Sequence, residues 1–205
     1  MYQKFFKRFF DILLSICALV VLAIPMLIFA IVIKLDSKGP VIFWQKRVGI
    51  HKEIFMMPKF RSMYTETPSE MPTHLLTDPD HWISPVGRVF RKLSVDELPQ
   101  IWCILTGKMS FIGPRPALWN QFDLIEERDK YGANDIRPGL TGWAQINGRD
   151  ELEIPDKAKL DGEYVEKMSF LFDCKCFFGT FFAVLRQDGV VEGGTGTMKK
   201  EKESA

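Results

Sequence analysis

Residues 12–33 (ILLSICALVVLAIPMLIFAIVI) carry no charge, yet a proline stands in their middle and basic residues stand on both sides. A straight helix of that length would reach about 33 Å, the thickness of a bilayer's hydrocarbon core, so this run places the chain at a membrane. Pro25 has no N–H to give to the carbonyl of Val21, and its ring crowds that carbonyl, which predicts a kink or break near the bilayer centre. Lys4, Lys7 and Arg8 precede the run, and Lys34, Lys38, Lys46, Arg47 and Lys52 follow it. Lys and Arg favour the cytoplasmic side. If both flanks obey that preference, the chain enters the membrane, turns near Pro25 and leaves on the side it entered. A re-entrant, Pro-broken helix is the reading adopted, with a straight single-pass helix as its competitor, because prolines are tolerated in membrane helices. A secretory signal would need a shorter apolar stretch and a small-residue cleavage site before Lys34, and neither is visible.

About 170 residues follow the run, enough for one domain with a real core. The expected division is a membrane helix over 1–36, one catalytic or binding domain over 37–190 and a flexible tail over 191–205, Gly-rich and then charged. With 27 basic against 26 acidic side chains, bulk charge does not argue for nucleic acid, and none is expected as a partner. Cys17, Cys103, Cys174 and Cys176 show no metal-ligand or disulfide spacing. Seventeen phenylalanines and five tryptophans concentrate beside basic residues, as suits a body resting on lipid.

Along the chain, VIFWQ and EIFMM read as two short strands about a turn, with Lys59 and Arg61 closing the second. Residues 65–80 read as an exposed loop. Residues 118–131 and 155–168 have the spacing of amphipathic helices. The apolar stretch 170–185 reads as a core helix or an interfacial one. His51, His74 and His81 fall in polar segments and read as surface residues.

Chemistry concentrates in RKLSVDELPQ (91–100), where Asp96 and Glu97 follow two cations. One reading is structural: Ser94 and Glu97 fit a capping box at a helix start. The other makes one carboxylate a nucleophile and its neighbour the holder of a divalent cation. Gly113-Pro114-Arg115-Pro116 fixes an arginine between prolines, Arg137 opens a glycine-containing turn and Arg149 closes another. Together with Lys59, Arg61 and Arg91, these cations at turns and element ends fit a multiply charged phosphate ligand. No P-loop, Rossmann, zincin or nucleophile-elbow pattern is present.

KFRSM (59–63), RKLSVDELPQ, GPRP (113–116), RPGLTGWAQINGR (137–149) and YVEKMSFLFD (164–173), in this order, strongly resemble the bacterial sugar transferases, or small monotopic phosphoglycosyl transferases. The resemblance runs from the apolar segment to about residue 188. It implies transfer of a sugar 1-phosphate from a UDP-sugar to undecaprenyl phosphate with release of UMP, the first membrane step of a capsule, exopolysaccharide or glycoconjugate pathway. It assigns Asp96 as the nucleophile of a covalent aspartyl phosphosugar, Glu97 as the Mg²⁺ ligand, Arg91 and Arg115 as phosphate contacts and Arg149 as a contact near the nucleotide. The expected fold is a mixed α/β domain, helix-rich with a small sheet, on the cytosolic face of the bacterial inner membrane. Expected partners are the two substrates, membrane lipid and the downstream glycosyltransferases, with a homodimer left open. Larger relatives carry more transmembrane helices and another domain ahead of this core, and the resemblance implies the short form. Short members lean toward N-acetylated sugars, although no residue here selects one. Where the family breaks its helix at Ser-Pro, this chain has Ile24-Pro25, without a hydroxyl to bond a freed carbonyl. Two other readings stay open: a silent membrane-anchored scaffold, and direct attack by the lipid phosphate with both carboxylates on metal.

Overall fold

A computed structural model describes residues 2–67, 79–148 and 152–186. Arg149, His74, most of the 65–80 loop and the tail from 187 lie outside the described residues. A single π-helical turn, Tyr2–Phe6, leads into α1, Lys7–Asp36. This helix is long and apolar enough to cross a membrane by length and composition. Its helical backbone continues on both sides of Pro25, so the expected break is absent as an interruption of the chain. Proline removes one hydrogen-bond donor from a thirty-residue helix, a local loss that does not end it.

Both ends of α1 pack on the same body. At the start, Lys7 and Asp11 engage residues far along the chain, and near the end Ile33 packs with Phe60 and Phe90. Between them Ala18, Leu19, Leu22, Pro25, Met26 and Phe29 are half-buried at three- and four-residue intervals. Val20, Val21, Ile24, Leu27, Ile28 and Ile31 are exposed.

The expected hairpin is β1, Ile42–Val48, against β2, Ile54–Phe60, antiparallel with Ile42 opposite Phe60 and Val48 opposite Ile54. Phe55 and Met57 point inward onto Cys103, Ile104 and Met109, while Ile54 and Met56 are exposed. That is the two-residue alternation of a half-buried strand. After α2, Pro79–Trp82, comes α3, Pro85–Lys92. A 3₁₀ helix, Val95–Gln100, then runs into α4, Ile101–Leu105. The remaining elements are β3, Ser110–Ile112; α5, Phe122–Asp129; β4, Gly139–Thr141; α6, Trp143–Ile146; α7, Ile154–Lys167; and α8, Phe170–Arg186.

The domain is helix-rich, as expected, but has two small sheets where one was expected. The second is the parallel pair β3–β4, whose three-residue strands are too short to show a period. The expected helix over 118–131 starts later, at Phe122, because Leu118 bridges to Arg47 of β1 and Ala117 O accepts from Val48 N. The segment 116–118 is thereby drawn onto the hairpin edge. The helix expected over 155–168 is α7. The stretch expected to be a core or interfacial helix is α8, with Asp173 and Cys176 buried and Leu171, Phe178 and Phe182 exposed.

Two buried polar links tie distant segments. Arg128 of α5 donates to Asp161 Oδ2 of α7 from Nε (2.8 Å) and Nη2 (2.6 Å). Asp173 accepts from Tyr2 Oη and Lys7 Nζ at Oδ2 and from Tyr164 Oη at Oδ1, each at 2.6 Å. This second link fastens the N-terminal turn and α1 to α7 and α8.

Candidate active site

Asp96 and Glu97 lie in the 3₁₀ helix that packs against β2, α3 and α4. The segment is not a capped helix start. Ser94 stands in the left-handed region (φ 54, ψ 22) and makes no side-chain cap, and its N–H donates to Arg91 O. It therefore ends α3 in the manner of a left-handed C-terminal cap, a conformation costly for a residue with a Cβ. Capping falls to Ser84 instead, whose Oγ accepts from Gly87 N at 3.0 Å, with Pro85 in the first turn. At Gly87 a Cβ would lie 2.0 Å from Ser62 O, so glycine is what lets α3 press against the end of β2. That contact brings Arg91 toward the carboxylates.

The two carboxylates differ sharply in surroundings. Glu97 is gripped: Lys59 Nζ of β2 donates to Oε1 (3.2 Å), and Arg115 donates from Nη2 to Oε1 (2.5 Å) and from Nη1 to Oε2 (3.3 Å). Asp96 is 8% exposed, and among the described residues no side chain hydrogen-bonds or ion-pairs with its carboxylate. Burial raises its pKa above the usual carboxylate range. Lys59 pulls it back most strongly, Glu97 raises it again, and Arg91 and Arg115 lower it. Burial also lowers the pKa of Lys59, against which Glu97 and Asp96 favour its charged form. A desolvated, unbonded carboxylate among cations can attack an electrophilic phosphorus, since nothing must be stripped from it first.

The structure thus joins Asp96, Glu97, Lys59, Arg91 and Arg115, and it separates two arginines that the sequence grouped with them. Arg61 holds the connection from α1 to β1, donating to Lys38 O and to the carbonyl and Oγ of Ser37. Arg137 sends Nε to Gly107 O (2.9 Å) and faces Arg8. Turn position told where a cation stands along the chain but not where its side chain goes. Arg149 lies outside the described residues.

Arg47 was missed as a site residue. Its Nη1 donates to Pro116 O (2.8 Å), its Nε and Nη2 donate to Gln45 Oε1, and its charge reaches Lys59. It braces the loop that carries Arg115. The available signal was the alternation along β1, which puts Gln45 and Arg47 on one face.

Mg²⁺ takes one or two protein carboxylates and completes its shell with water and substrate phosphates. The pair Asp96–Glu97 offers two such groups, and no cluster of three or more acidic, His or Cys ligands occurs among the described residues. The pair thus offers carboxylate oxygens of the kind Mg²⁺ takes, and both oxygens of Glu97 already accept from cationic side chains.

A profile of the family described as "Bacterial sugar transferase" matches residues 2–187. The chain is 39% identical over 184 residues to "Uncharacterized sugar transferase EpsL" of Bacillus subtilis (strain 168), covering 90% of this chain and 89% of that one. It is 41% identical to an undecaprenyl-phosphate glucose phosphotransferase of Komagataeibacter xylinus, covering 85% of this chain and 35% of the relative. It is 38% identical to a UDP-glucose:undecaprenyl-phosphate glucose-1-phosphate transferase of Escherichia coli (strain K12), covering 88% and 40%. The chain thus spans two fifths or less of the two relatives whose names state a reaction.

Proposed function

The chain belongs to the bacterial sugar transferase family, and from that premise we propose that it transfers a sugar 1-phosphate from a UDP-sugar to undecaprenyl phosphate, in two half-reactions through Asp96. The observation that carries this reading is the asymmetry of the pair: Glu97 is held by Lys59 and Arg115, and Asp96 is buried beside it with no side-chain hydrogen bond among the described residues. In the first half-reaction an Asp96 carboxylate oxygen bonds to the β-phosphorus, and the bond from that phosphorus to the bridging oxygen breaks. UMP leaves with the electron pair. In the second, a phosphate oxygen of undecaprenyl phosphate bonds to the same phosphorus, and the Asp96 carboxylate departs. Bound at Glu97, Mg²⁺ would neutralise charge on the diphosphate. Lys59, Arg91 and Arg115 hold the phosphates and stabilise charge on the leaving UMP. A covalent intermediate lets a water-soluble donor and a lipid acceptor use one site in turn.

The protein sits in the bacterial cytoplasmic membrane with its domain in the cytosol and both ends of the unbroken α1 on that side. The packing of both ends of α1 on one body supports this arrangement, as do the basic flanks. Its lipid-linked product feeds glycosyltransferases of a polysaccharide or glycoconjugate pathway. The names of two relatives specify glucose, so hexoses join N-acetylated sugars as donor candidates.

The test is UMP release by membrane-reconstituted protein with a panel of UDP-sugars and Mg²⁺, with and without undecaprenyl phosphate. Multiple turnover that needs the lipid, together with a lipid-independent burst that is lost in Asp96→Asn, is the expected result. Lipid-dependent turnover with no trapped sugar-phosphate on the protein would replace the covalent route by direct attack. No release from any donor would overturn the transferase reading.

A further inference from the structure

A second group of cations gathers where α1 begins. Arg8 donates from Nη1 to Ile104 O (2.6 Å) and from Nη2 to Leu105 O (2.7 Å), closing the carbonyl end of α4. Gly107 turns the chain there in the left-handed region (φ +84), and a Cβ on it would stand 3.4 Å from Arg8 Nη2. The carbonyl of the same glycine accepts from Arg137 Nε (2.9 Å). Two guanidiniums therefore flank one residue, each within electrostatic reach of the other. Lys108, the next residue, is exposed.

The negative charge nearby does not balance them. Asp11 reaches Arg8, but its Oδ1 accepts from Ser110 Oγ and Phe111 N, both at 3.0 Å. Among the described residues no carboxylate pairs with Arg137, and its Nη1 and Nη2 have no acceptor. Like charges side by side repel, and an anion between them removes that cost. A guanidinium's paired N–H groups match two oxygens of one phosphate.

The surroundings select the kind of phosphate. Phe5, Phe9 and Ile12 of the N-terminal turn and α1 are exposed, as is Trp102 of α4 at 54%. Exposed aromatic rings beside arginines, at the start of an apolar helix, are the composition of a membrane–water interface. Lys59, Arg91 and Arg115 act on Asp96, so the reacting phosphates have cations of their own.

We infer that Arg8, Lys108 and Arg137 form a headgroup site for the phosphodiester of a bilayer glycerophospholipid, beside α1 and outside the Asp96 cluster. Arg137 contributes its open fork, Lys108 an exposed charge, and Trp102 and Phe9 the apolar wall for glycerol and acyl chain. The inference rests on the membrane reading of α1, and its test reads lipid retention rather than sugar transfer, so failure of one leaves the other standing.

The experiment is native mass spectrometry of the full chain, released from nanodiscs into detergent, titrated with phosphatidylglycerol and in a parallel arm with undecaprenyl phosphate. Arg137→Gln keeps a donor for Gly107 O and removes the charge. Lys108→Gln alters an exposed side chain and keeps the test readable should the first variant fold poorly. Loss of a charge-assisted contact predicts about a tenfold fall in retained phosphatidylglycerol for Arg137→Gln, with a smaller fall for Lys108→Gln. Undecaprenyl phosphate retention should not change. Phosphatidylglycerol retention equal to wild type in both variants overturns the site. Loss confined to the undecaprenyl phosphate arm also overturns it, assigning the cations to the acceptor lipid instead.

Discussion

Asp161 and Asp96 are both buried carboxylates, at 1% and 8% exposure, and they are treated in opposite ways. Asp161 receives two hydrogen bonds from the guanidinium of Arg128, so its charge is matched where it stands and it joins α5 to α7. Asp96 lies beside a second carboxylate, with cations near it but none bonded to it among the described residues. A matched buried charge is costly to disturb and has nothing left to react with. An unmatched one is costly to keep, and the surrounding fold must hold it there. The difference separates a structural carboxylate from a chemical one without reference to either residue's place in the sequence.

The most severe way to probe this contrast is to remove each charge at nearly constant shape. Asp96→Asn should lower turnover by at least about 10⁴-fold, by analogy with loss of other covalent nucleophiles. Flotation with liposomes should stay that of wild type, and the melting temperature should hold or rise, because a desolvated charge has been removed. Turnover near the wild-type level in that variant would end the nucleophile assignment.

Asp161→Asn should do the reverse. Leaving Arg128 buried without its partner should cost about 3 kcal/mol of stability, read by denaturant unfolding in detergent, while the protein that remains folded keeps its pH–rate profile. A pH–rate profile displaced in this variant would show that the two sites are coupled.

A smaller effect sharpens the electrostatics of Asp96. Its carboxyl must be ionised to attack, and its pKa is raised by burial, so activity should fall as pH drops through a value above the ordinary carboxylate range. Lys59 is the strongest influence holding that value down. In Lys59→Met the acid limb of kcat should move to higher pH, along with a loss of activity of about 10²-fold from the missing phosphate cation. An acid limb that stays in place would mean that another group controls it. Smallest of all, Ser94→Gly should relieve the left-handed strain ahead of the pair and stabilise the fold by about 0.5 kcal/mol, after the flexibility cost of glycine. Destabilisation on melting would show that the Ser94 side chain has a role of its own.

Much of this was legible locally. The β1–β2 hairpin, α7 and the charged pair at 96–97 all rest on short-range pattern, and there the sequence speaks through residue spacing. The misreadings came where the partner is remote. Ser94 and Glu97 have capping-box spacing, yet Glu97 is drawn to Lys59 and Arg115, 38 and 18 residues away. Arg61 and Arg137 looked equivalent to Arg115, but side-chain direction depends on what packs beside each turn. The match of Arg128 with Asp161, 33 residues apart, has no local signature. Pro25 raised a correct local objection to helix, and the long helix absorbed it.

The cluster around Asp173 carries a consequence for the order in which this protein can be made. Lys7 leaves the ribosome well before the carboxylate that receives it, which comes 166 residues later. At about 5–20 residues per second, that delay is roughly eight to thirty seconds. During that interval the apolar helix must already lie in lipid, or be shielded by a chaperone, with its ammonium group still hydrated. The anchor therefore reaches the bilayer as an unfastened segment, and the arrival of α8 locks it to the domain.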